Sequence, residues 1–460
     1  MPRMTSQLRS KLQGTHLPGV PLRGVATLTL VMVLFFVMAM VAAYANRNLI
    51  FEQRISINNL RTTSAAAAAE GGLDWAIAML NGGRSNASCV ADPASASTFR
   101  SRYLQVQGDG SYVHTTWADT LGELRPVFTA CVMTAAPWTC HCPAAGRPDF
   151  VALAEAAPVF RVTVESALLP GGLPRPGAIV VKSQGCSNFI SISADPNYDT
   201  SDYASCHKAR GSQRARVDGL ANMQVTLGLV KALPAPPAAA LTAGATISMT
   251  AGNRLTVSNP SAQAGVTIHA GNALPASTEV LLLGPQAGAI DTGRTGDAKL
   301  LSLVAPAVGE PGMFESMFGM DQATYSRQPA AVLVDCAVGC TGASVVTPMA
   351  NNPGRILWIA GDLNLDQAAV LGSAAQPVML VVSGDLALSA AVTVNGFVFA
   401  RDINWNATAA GSRINGAAVA ARNFTGQSAA VVAYDANILR IINLGYGSFV
   451  RVPGSWRYLE

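Results

Sequence analysis

The sequence has little charge and few aromatic residues. Of its 460 residues, 13% are Asp, Glu, Lys or Arg and 6% are Phe, Trp or Tyr, whereas 50% are hydrophobic. It contains 31 Lys and Arg against 27 Asp and Glu, which is not the strong basic excess that nucleic-acid-binding surfaces need. The composition therefore gives no reason to expect a nucleic-acid partner.

The sequence also lacks the short motifs of common enzyme sites. It has neither a GxxxxGK[ST] phosphate-binding loop nor a GxSxG nucleophile turn. Its five histidines are scattered, at positions 16, 114, 141, 207 and 269. We therefore predict a non-enzymatic protein that needs no cofactor.

Asp362 and Asp385 are the strongest remaining candidates for a catalytic carboxylate pair. Each lies between a glycine and a leucine, and a β-helix that brought them onto adjacent coils would resemble the pectin-cleaving enzymes. However, Asp after Gly is more often a turn former, because its side chain hydrogen-bonds nearby backbone groups. We therefore favour a structural role for both residues.

The most informative feature present is an uncharged apolar run from Val25 to Ala45. As a helix it would span roughly 31 Å, close to the ~30 Å hydrocarbon core of a bilayer. Four cations and no acid precede it, at Arg3, Arg9, Lys11 and Arg23. Because Lys and Arg tend to stay on the cytoplasmic side, residues 1–24 are predicted to form a basic leader inside the cell, with the rest exported.

The helical pattern continues beyond the apolar run. No proline occurs from Asn46 to Leu80, and apolar residues such as Ala65, Ala69 and Leu73 recur at four-residue steps. We therefore predict a transmembrane and extended helix over residues 25–80. Gly71-Gly72 is a candidate point for a kink, because each glycine costs about 1 kcal/mol relative to alanine.

These residues resemble a known family. The basic leader, the segment Gly24-Val25-Ala26-Thr27-Leu28, the apolar run and the helix that follows are similar to the amino-terminal region of type IV pilus assembly proteins of the PilX type, a minor pilin group. The resemblance covers about residues 18–82. It implies that a prepilin peptidase cuts after Gly24 and that Val25 becomes a methylated amino terminus. The implied partners are other pilins, pilus assembly proteins and the inner membrane.

Thr29 is a departure from the pattern of this family. Major pilins carry a glutamate at the fifth mature position, where this chain has Thr29. A carboxylate in lipid is costly unless it is paired, and in pilins it is thought to meet the terminal amine of a neighbouring subunit. Its absence resembles minor pilins at filament tips or in initiation, and it equally permits an anchor that is not a pilin.

Residues 81–232 are predicted to form a loop-rich α/β head of the pilin type. Period-two runs at 159–164, 178–182, 209–217 and 223–230 fit an antiparallel sheet packed on the carboxyl half of the long helix. Residues 233–240 contain three prolines, which neither continue a helix nor pair inside a central strand. This segment is predicted to be a linker.

Residues 241–440 are predicted to form a β-solenoid-like domain with an insertion at 285–330, followed by a tail at 441–460. Short apolar strands are separated by Gly, Asn or Asp, Gly361-Asp362-Leu363 recurs 23 residues later, and Asn395-Gly396 recurs 20 residues later. Such recurrence favours a parallel β-solenoid, in which each coil stacks on the last. The alternative is a β-sandwich. The segment Met313–Met320 is predicted to be a packed cap or lid.

All eight cysteines follow the apolar run, on the side predicted to be oxidising. Among the possible disulfides, Cys336 with Cys340 is the most local, and Cys186 with Cys206 is the next most attractive. The cysteines and histidines do not have the usual zinc spacing. Three aspartates, Asp195, Asp199 and Asp202, are weak calcium candidates; without the EF-hand spacing, a solvated loop is favoured.

Together these features predict an α+β, mostly β protein with a long N-terminal transmembrane helix, an antiparallel sheet region and a C-terminal parallel β-solenoid. The predicted function is a minor pilin-like component of type IV pilus assembly, packed by its N-terminal helix into a filament or at its tip. It would lie in the bacterial inner membrane as a single-pass protein, with an exported domain that reaches the pilus tip or cell surface. The alternative is a membrane-tethered surface β-helix that binds or cleaves polysaccharide.

Overall fold

The computed structural model describes residues 23–118, 122–133, 138–146, 148, 157–187, 219–261, 266–276, 278–284, 293–407 and 411–459. The chain is α+β and consists mostly of strands. It divides into two compact units, Met1–Leu60 and Arg61–Glu460.

Helix α1 is the longest element of the described chain, Arg23–Leu80, with 58 residues. The predicted long N-terminal helix is therefore confirmed. It continues through Gly71 and Gly72 without a break, so these two glycines do not end the helix.

The elements that follow, up to residue 231, are α2 (Phe99–Tyr103), β1 (Leu104–Val106), β2 (Tyr112–His114), β3 (Thr116–Ala118), β4 (Leu124–Pro126), β5 (Phe128–Met133), β6 (Trp138–His141), β7 (Val159–Leu168), β8 (Pro174–Cys186) and β9 (Leu220–Lys231).

The first part of the C-terminal region contains β10 (Leu241–Ala243), β11 (Ile247–Met249), β12 (Leu255–Ser258), β13 (Ile268–Ala270), β14 (Val280–Leu283), α3 (Ala298–Ser302), α4 (Met313–Phe318), α5 (Gln322–Ser326), β15 (Ala331–Thr341) and α6 (Ala343–Asn351). The second part contains β16 (Ile356–Leu365), β17 (Ala369–Leu371), β18 (Val378–Val382), β19 (Leu386–Leu388), β20 (Val392–Ala400), β21 (Ile403–Trp405), β22 (Arg413–Ala420), β23 (Phe424–Gly426), β24 (Ala430–Tyr434), α7 (Ala436–Gly445), β25 (Gly447–Arg451) and β26 (Arg457–Leu459).

An antiparallel sheet of seven described strands has the order β25-β9-β8-β7-β5-β6, with β26 also paired to β9. Its long strands β7, β8 and β9 alternate between buried and partly exposed positions, as period-two patterning predicts. Strands β25 and β26 come from the segment that the sequence suggested was a tail. The run 209–217, which was predicted to be a strand, lies outside the described residues.

The carboxyl part of α1 packs on this sheet through small side chains. Ala65, Ala69 and Leu73 are fully buried. A Cβ on Gly185 of strand β8 would lie 2.1 Å from the carbonyl oxygen of Ala65 and 2.4 Å from the amide nitrogen of Ala69. Glycine at position 185 therefore allows the helix backbone to approach the strand backbone closely.

The C-terminal region is a curled parallel sheet, which is solenoid-like as the sequence predicted. It contains 15 described strands in three connected ladders. The two sequence recurrences stack in register, with Leu363 opposite Leu386 and Asn395 opposite Asn415. All described pairings in this sheet are parallel, which favours the solenoid over the β-sandwich alternative.

The order of the coils differs from the expected order. A solenoid in which each coil stacks on the last would place β10 to β14 beside β15. Instead, β10 pairs with β22 and β12 pairs with β24, so the first strands in the sequence stack beyond the last. The chain that carries α3 to α5 connects the two ends of the stack. Parallel strands can be joined by any crossover connection of sufficient length. The connection between β14 and β15 is long enough to pass several coils.

One ladder of the solenoid is buried on both sides. Its strands, β16, β18, β20, β22, β10 and β13, face the solenoid interior on one side. Their other side carries Trp358 and Phe399, which pack against Phe314 and Phe318 of α4. The predicted packed cap at Met313–Met320 therefore corresponds to helix α4, which covers this ladder together with α5 and α7.

Candidate functional site

The amino-terminal part of α1 exposes a continuous apolar surface. Its large hydrophobic side chains are half or more exposed, for example Phe35 at 74% and Phe36 at 64%. The helix is long and apolar enough to cross a membrane, and none of its most apolar window is buried. Fully burying a side chain of this size contributes about 1.5–3 kcal/mol, so this surface strongly favours an apolar environment.

The residues that the family resemblance assigned to processing lie at the start of this helix. Gly24 and Val25 are in its first turn, and Thr29 follows one turn later with an exposed side chain. The first turn carries no acidic residue. Cleavage after Gly24 is not tested by this arrangement and stays a prediction.

The other end of α1 is held by Asn81, directly after the last helical residue. The Asn81 side-chain amide donates to the Ile77 carbonyl oxygen at 2.9 Å and to the Phe449 carbonyl oxygen at 3.0 Å. Its Oδ1 accepts from the Phe449 amide at 2.8 Å. One buried side chain therefore caps the helix and fixes it to strand β25.

Arg100 completes this connection between the two ends of the chain. Its Nε donates to the Leu80 carbonyl oxygen at 3.0 Å and one Nη to the Gly445 carbonyl oxygen at 2.9 Å, so it binds the last residues of both α1 and α7. The other Nη donates to the Gly447 carbonyl oxygen at 2.8 Å. The negative ends of two helix dipoles thus stabilise the cation.

The environment of Arg100 is otherwise poor in compensating charge. Its guanidinium carbon lies 4.6 Å from the centre of the Phe449 ring, within cation–π range. Burial lowers the pKa of Arg100 from its ordinary value, while the nearby Tyr112 and Tyr446 oppose that shift. Backbone carbonyl groups, rather than a carboxylate, therefore hold this buried cation.

Disulfides stabilise the region around the sheet. Cys131 and Cys140 are directly opposite each other on β5 and β6 and are bonded, and Cys89 is bonded to Cys142. Cys186 is also disulfide-bonded, whereas its predicted partner Cys206 lies outside the described residues.

The disulfide expected between Cys336 and Cys340 is present. The sequence suggested that it closes a small turn, but it spans an irregularity within strand β15, where the pairing with β16 shifts register. Bulges on outer strands disrupt pairing with further strands.

Asp362 and Asp385 lie on adjacent coils, at one corner of the solenoid. Asp362 Oδ1 accepts from the Asp385 amide at 2.8 Å, and Arg401 Nε donates to Asp385 Oδ1 at 2.7 Å. Arg401 also lies 3.6 Å from Asp362 Oδ1. The shared arginine and the backbone contact are typical of a corner that stacks coils, which supports the structural role favoured from the sequence.

The same corner continues along the solenoid as a ladder of polar side chains. Asp402 Oδ1 accepts from the Asn423 amide at 2.9 Å, and Asn423 Oδ1 accepts from the Thr246 amide at 3.3 Å. Asp402 also pairs with Arg422. Each side chain thus satisfies a backbone group of the next coil, including the step where the chain order is broken.

No group of His, Cys, Asp and Glu with metal-binding geometry occurs among the residues that the structure describes. The weak calcium candidates Asp195, Asp199 and Asp202 lie outside those residues. Sequence reasoning missed Asn81, Arg100 and Arg401. The nearest signal for any of them was the position of Asn81 at the end of the helical pattern.

Neither a protein family model nor a curated protein matches the chain. Among solved structures, the chain is similar to the Shewanella frigidimarina ice-binding protein_1 DUF3494 domain, with 12% identity, a TM-score of 0.21, and coverage of 44% of this chain and 98% of that chain. It is also similar to the competence-associated pilin ComZ from Thermus thermophilus, with 12% identity, a TM-score of 0.20, and coverage of 87% of this chain and 98% of that chain. TM-scores at this level do not establish a shared fold or function.

Proposed function

We propose that this chain is a minor pilin-like component of type IV pilus assembly. Helix α1 holds it in the bacterial inner membrane and later packs with the helices of other pilins, within a filament or at its tip. The exported β regions supply a contact surface, and the role is non-enzymatic.

This proposal rests on the difference in exposure between the two parts of α1. Its first part is apolar and exposed, whereas Ala65, Ala69 and Leu73 near its end are fully buried on an antiparallel sheet. A signal sequence that is removed needs no such second role. A helix that is apolar first and part of the fold afterwards suits a subunit that leaves the lipid for a helical bundle.

Two further features support a helix that is kept rather than removed. Asn81 and Arg100 attach its last turn to strand β25, which is distant in the sequence. The absence of a side chain at Gly185 allows the helix backbone to lie close to strand β8. Cleavage anywhere before residue 65 would leave this contact surface intact, so processing after Gly24 is compatible with the fold.

The mature amino terminus tests the proposal. We expect mass spectrometry of the protein from its native membranes to show a methylated Val25. The variant Gly24→Val should retain Met1 or the full leader, because prepilin peptidases need the glycine that Gly24 matches by resemblance. Gly19→Val, a matched change within the leader, should be processed normally. An unprocessed wild-type chain would contradict the pilin route and favour a simple tether.

The partners of α1 give a second, independent test. A photo-crosslinking residue placed at Phe35 should form an adduct with another pilin, because this side chain is 74% exposed on the apolar surface. The adduct should disappear when that pilin gene is deleted. A matched crosslinker at exposed Trp456 should not form it. Adducts with lipid alone at position 35 would support the tethered surface β-helix instead.

A further inference from the structure

Two adjoining cavities lie on either side of the turn at Pro353-Gly354. The larger has a volume of about 350 Å³ and is bordered by α2, β1 and α7. The smaller has a volume of about 220 Å³ and lies against the coils that contain Ile356 and Val378. Pro353, Gly354 and Gln376 line both. The larger cavity is within the size range of small-ligand sites and lies where the antiparallel sheet meets the solenoid.

The charged residues lining these cavities are all arginines. Arg100 and Arg440 line the larger cavity, and Arg84 and Arg355 line the smaller. No Asp or Glu is among the described lining residues of either. The chain as a whole has similar numbers of acidic and basic residues. The absence of acidic residues from the described lining of these cavities is therefore a property of the fold and not of the overall composition.

Three of these arginines bind backbone carbonyl groups rather than carboxylates. Arg84 Nε donates to the Ala350 carbonyl oxygen at 2.7 Å, and an Arg355 Nη donates to the Pro329 carbonyl oxygen at 3.1 Å. Arg100 caps α1 and α7 as described above. Within the described part of the chain, none of the three forms an ion pair.

The positive charge of Arg100 also acts on Arg355. Burial, with a further contribution from the charge of Arg100, lowers the pKa of Arg355 to about 10. A buried arginine whose pKa is lowered by a nearby like charge, with no carboxylate between the two, suits a site that receives an anion.

Arg440 is the residue best placed to receive that anion. It lies exposed on α7 at the edge of the larger cavity and makes no hydrogen bond or ion pair to any residue that the structure describes. The side-chain amides of Gln107 and Gln376, which also line the cavity, likewise have no described hydrogen-bond partner. The remaining wall is largely apolar and includes Leu104 and Leu444.

We propose that the larger cavity binds a small carboxylate with an apolar body. The carboxylate accepts hydrogen bonds from Arg440 at the rim, with the charge of Arg100 behind it. The apolar body lies against Leu104 and Leu444. This site is independent of the pilus role, since it uses no residue of the membrane helix.

Hydrocinnamate is a suitable probe, because it joins one carboxylate to an apolar ring. Its binding to the full chain in a neutral detergent is measured by calorimetry, with the uncharged hydrocinnamamide as the matched ligand. We expect the carboxylate to bind at least about ten-fold more tightly than the amide, as a charged hydrogen bond implies. Equal binding of the two ligands, or no binding of either, would overturn the proposal.

Variants identify the site. Arg440→Gln should weaken hydrocinnamate binding by about ten-fold or more, and Arg440→Lys should restore part of the loss because it retains the charge. Arg413→Gln serves as the matched control, because Arg413 is an exposed arginine of β22 that lines neither cavity. An unchanged affinity in Arg440→Gln, or an equal loss in Arg413→Gln, would refute the assignment.

Discussion

Glycine 185 sets how closely α1 approaches the antiparallel sheet, and replacing it tests that packing directly. In Gly185→Ala, the added Cβ would lie 2.1 Å from the Ala65 carbonyl oxygen, 2.4 Å from the Ala69 amide nitrogen and 2.9 Å from the Ala69 Cβ. Two of these atoms belong to the helix backbone, so rotating a side chain cannot relieve the contact. The helix and strand must separate by about 1 Å, a gap that forfeits a quarter to a half of each dispersion contact.

The expected cost is about 2–3 kcal/mol of the free energy of unfolding, at the upper end of the range for overpacked cores. Gly71→Ala is the matched control on the helix side. Gly71 is exposed and a Cβ there meets nothing within 4 Å. Alanine should therefore stabilise the helix by about 0.5–1 kcal/mol.

Chemical denaturation of the full chain in neutral detergent measures both changes. Hydrogen exchange, read by mass spectrometry on peptides from residues 65–80, shows whether the helix has loosened on the sheet. We expect faster exchange there in Gly185→Ala and slower exchange in Gly71→Ala. If Gly185→Ala matched the wild type in both measurements, or if Gly71→Ala were equally destabilising, the close helix–sheet packing described above would be incorrect.

Three further predictions follow from other contacts. Arg100→Leu should destabilise the fold by about 3 kcal/mol, because buried carbonyl groups lose their donor, and hydrogen exchange should rise in β25; an unchanged β25 would contradict this. Arg401→Ala should cost less than about 1 kcal/mol in denaturation, because its aspartate pairs are largely exposed, and a loss above about 2 kcal/mol would contradict this. The hydrogen bond from His269, with Arg294 also facing the carboxylate, lowers the pKa of Asp297. Its stabilisation is therefore present above pH ~4 and lost as the pH falls through the lowered pKa, so the difference in unfolding midpoint between wild type and Asp297→Asn should shrink only below that pH.

Much of the secondary structure could be predicted because it depends on local pattern. The uncharged run and the four-residue spacing of Ala65, Ala69 and Leu73 indicated the helix. In the solenoid, the apolar run at residues 392–400 forms strand β20, and local pattern is sufficient to indicate it. The packing role of Gly72 could not be predicted, because propensity alone does not show that this buried glycine faces Phe160 and Ser183 of the sheet.

The pairing of distant strands could not be predicted. Strand β10 reads like any other short apolar strand, and nothing in its residues specifies β22 as a neighbour. Parallel ladders of similar strands allow many orders, and only the packing of the whole stack selects one. The same holds for β25 and β26, whose sequences do not indicate pairing with β9.

The residues of the candidate sites could not be predicted from the sequence, for a related reason. Arg100 binds backbone carbonyl groups, and a carbonyl group has no signature in the sequence. Arg440 and Arg355 become neighbours of one cavity system only after the solenoid has stacked. Asp362 and Asp385, by contrast, were identified from their repeat, because their partners are the equivalent residues of the next coil.

The strands of the antiparallel sheet come from segments that are far apart in the sequence. Strand β9 ends at Lys231, and its neighbour β25 begins at Gly447, so the whole solenoid is an insertion within that sheet. Asn81 binds Phe449 across a separation of 368 residues. Truncation within the solenoid would therefore remove the contacts of Asn81 and Arg100 with β25, while the packing of α1 on strand β8 at Gly185 would remain.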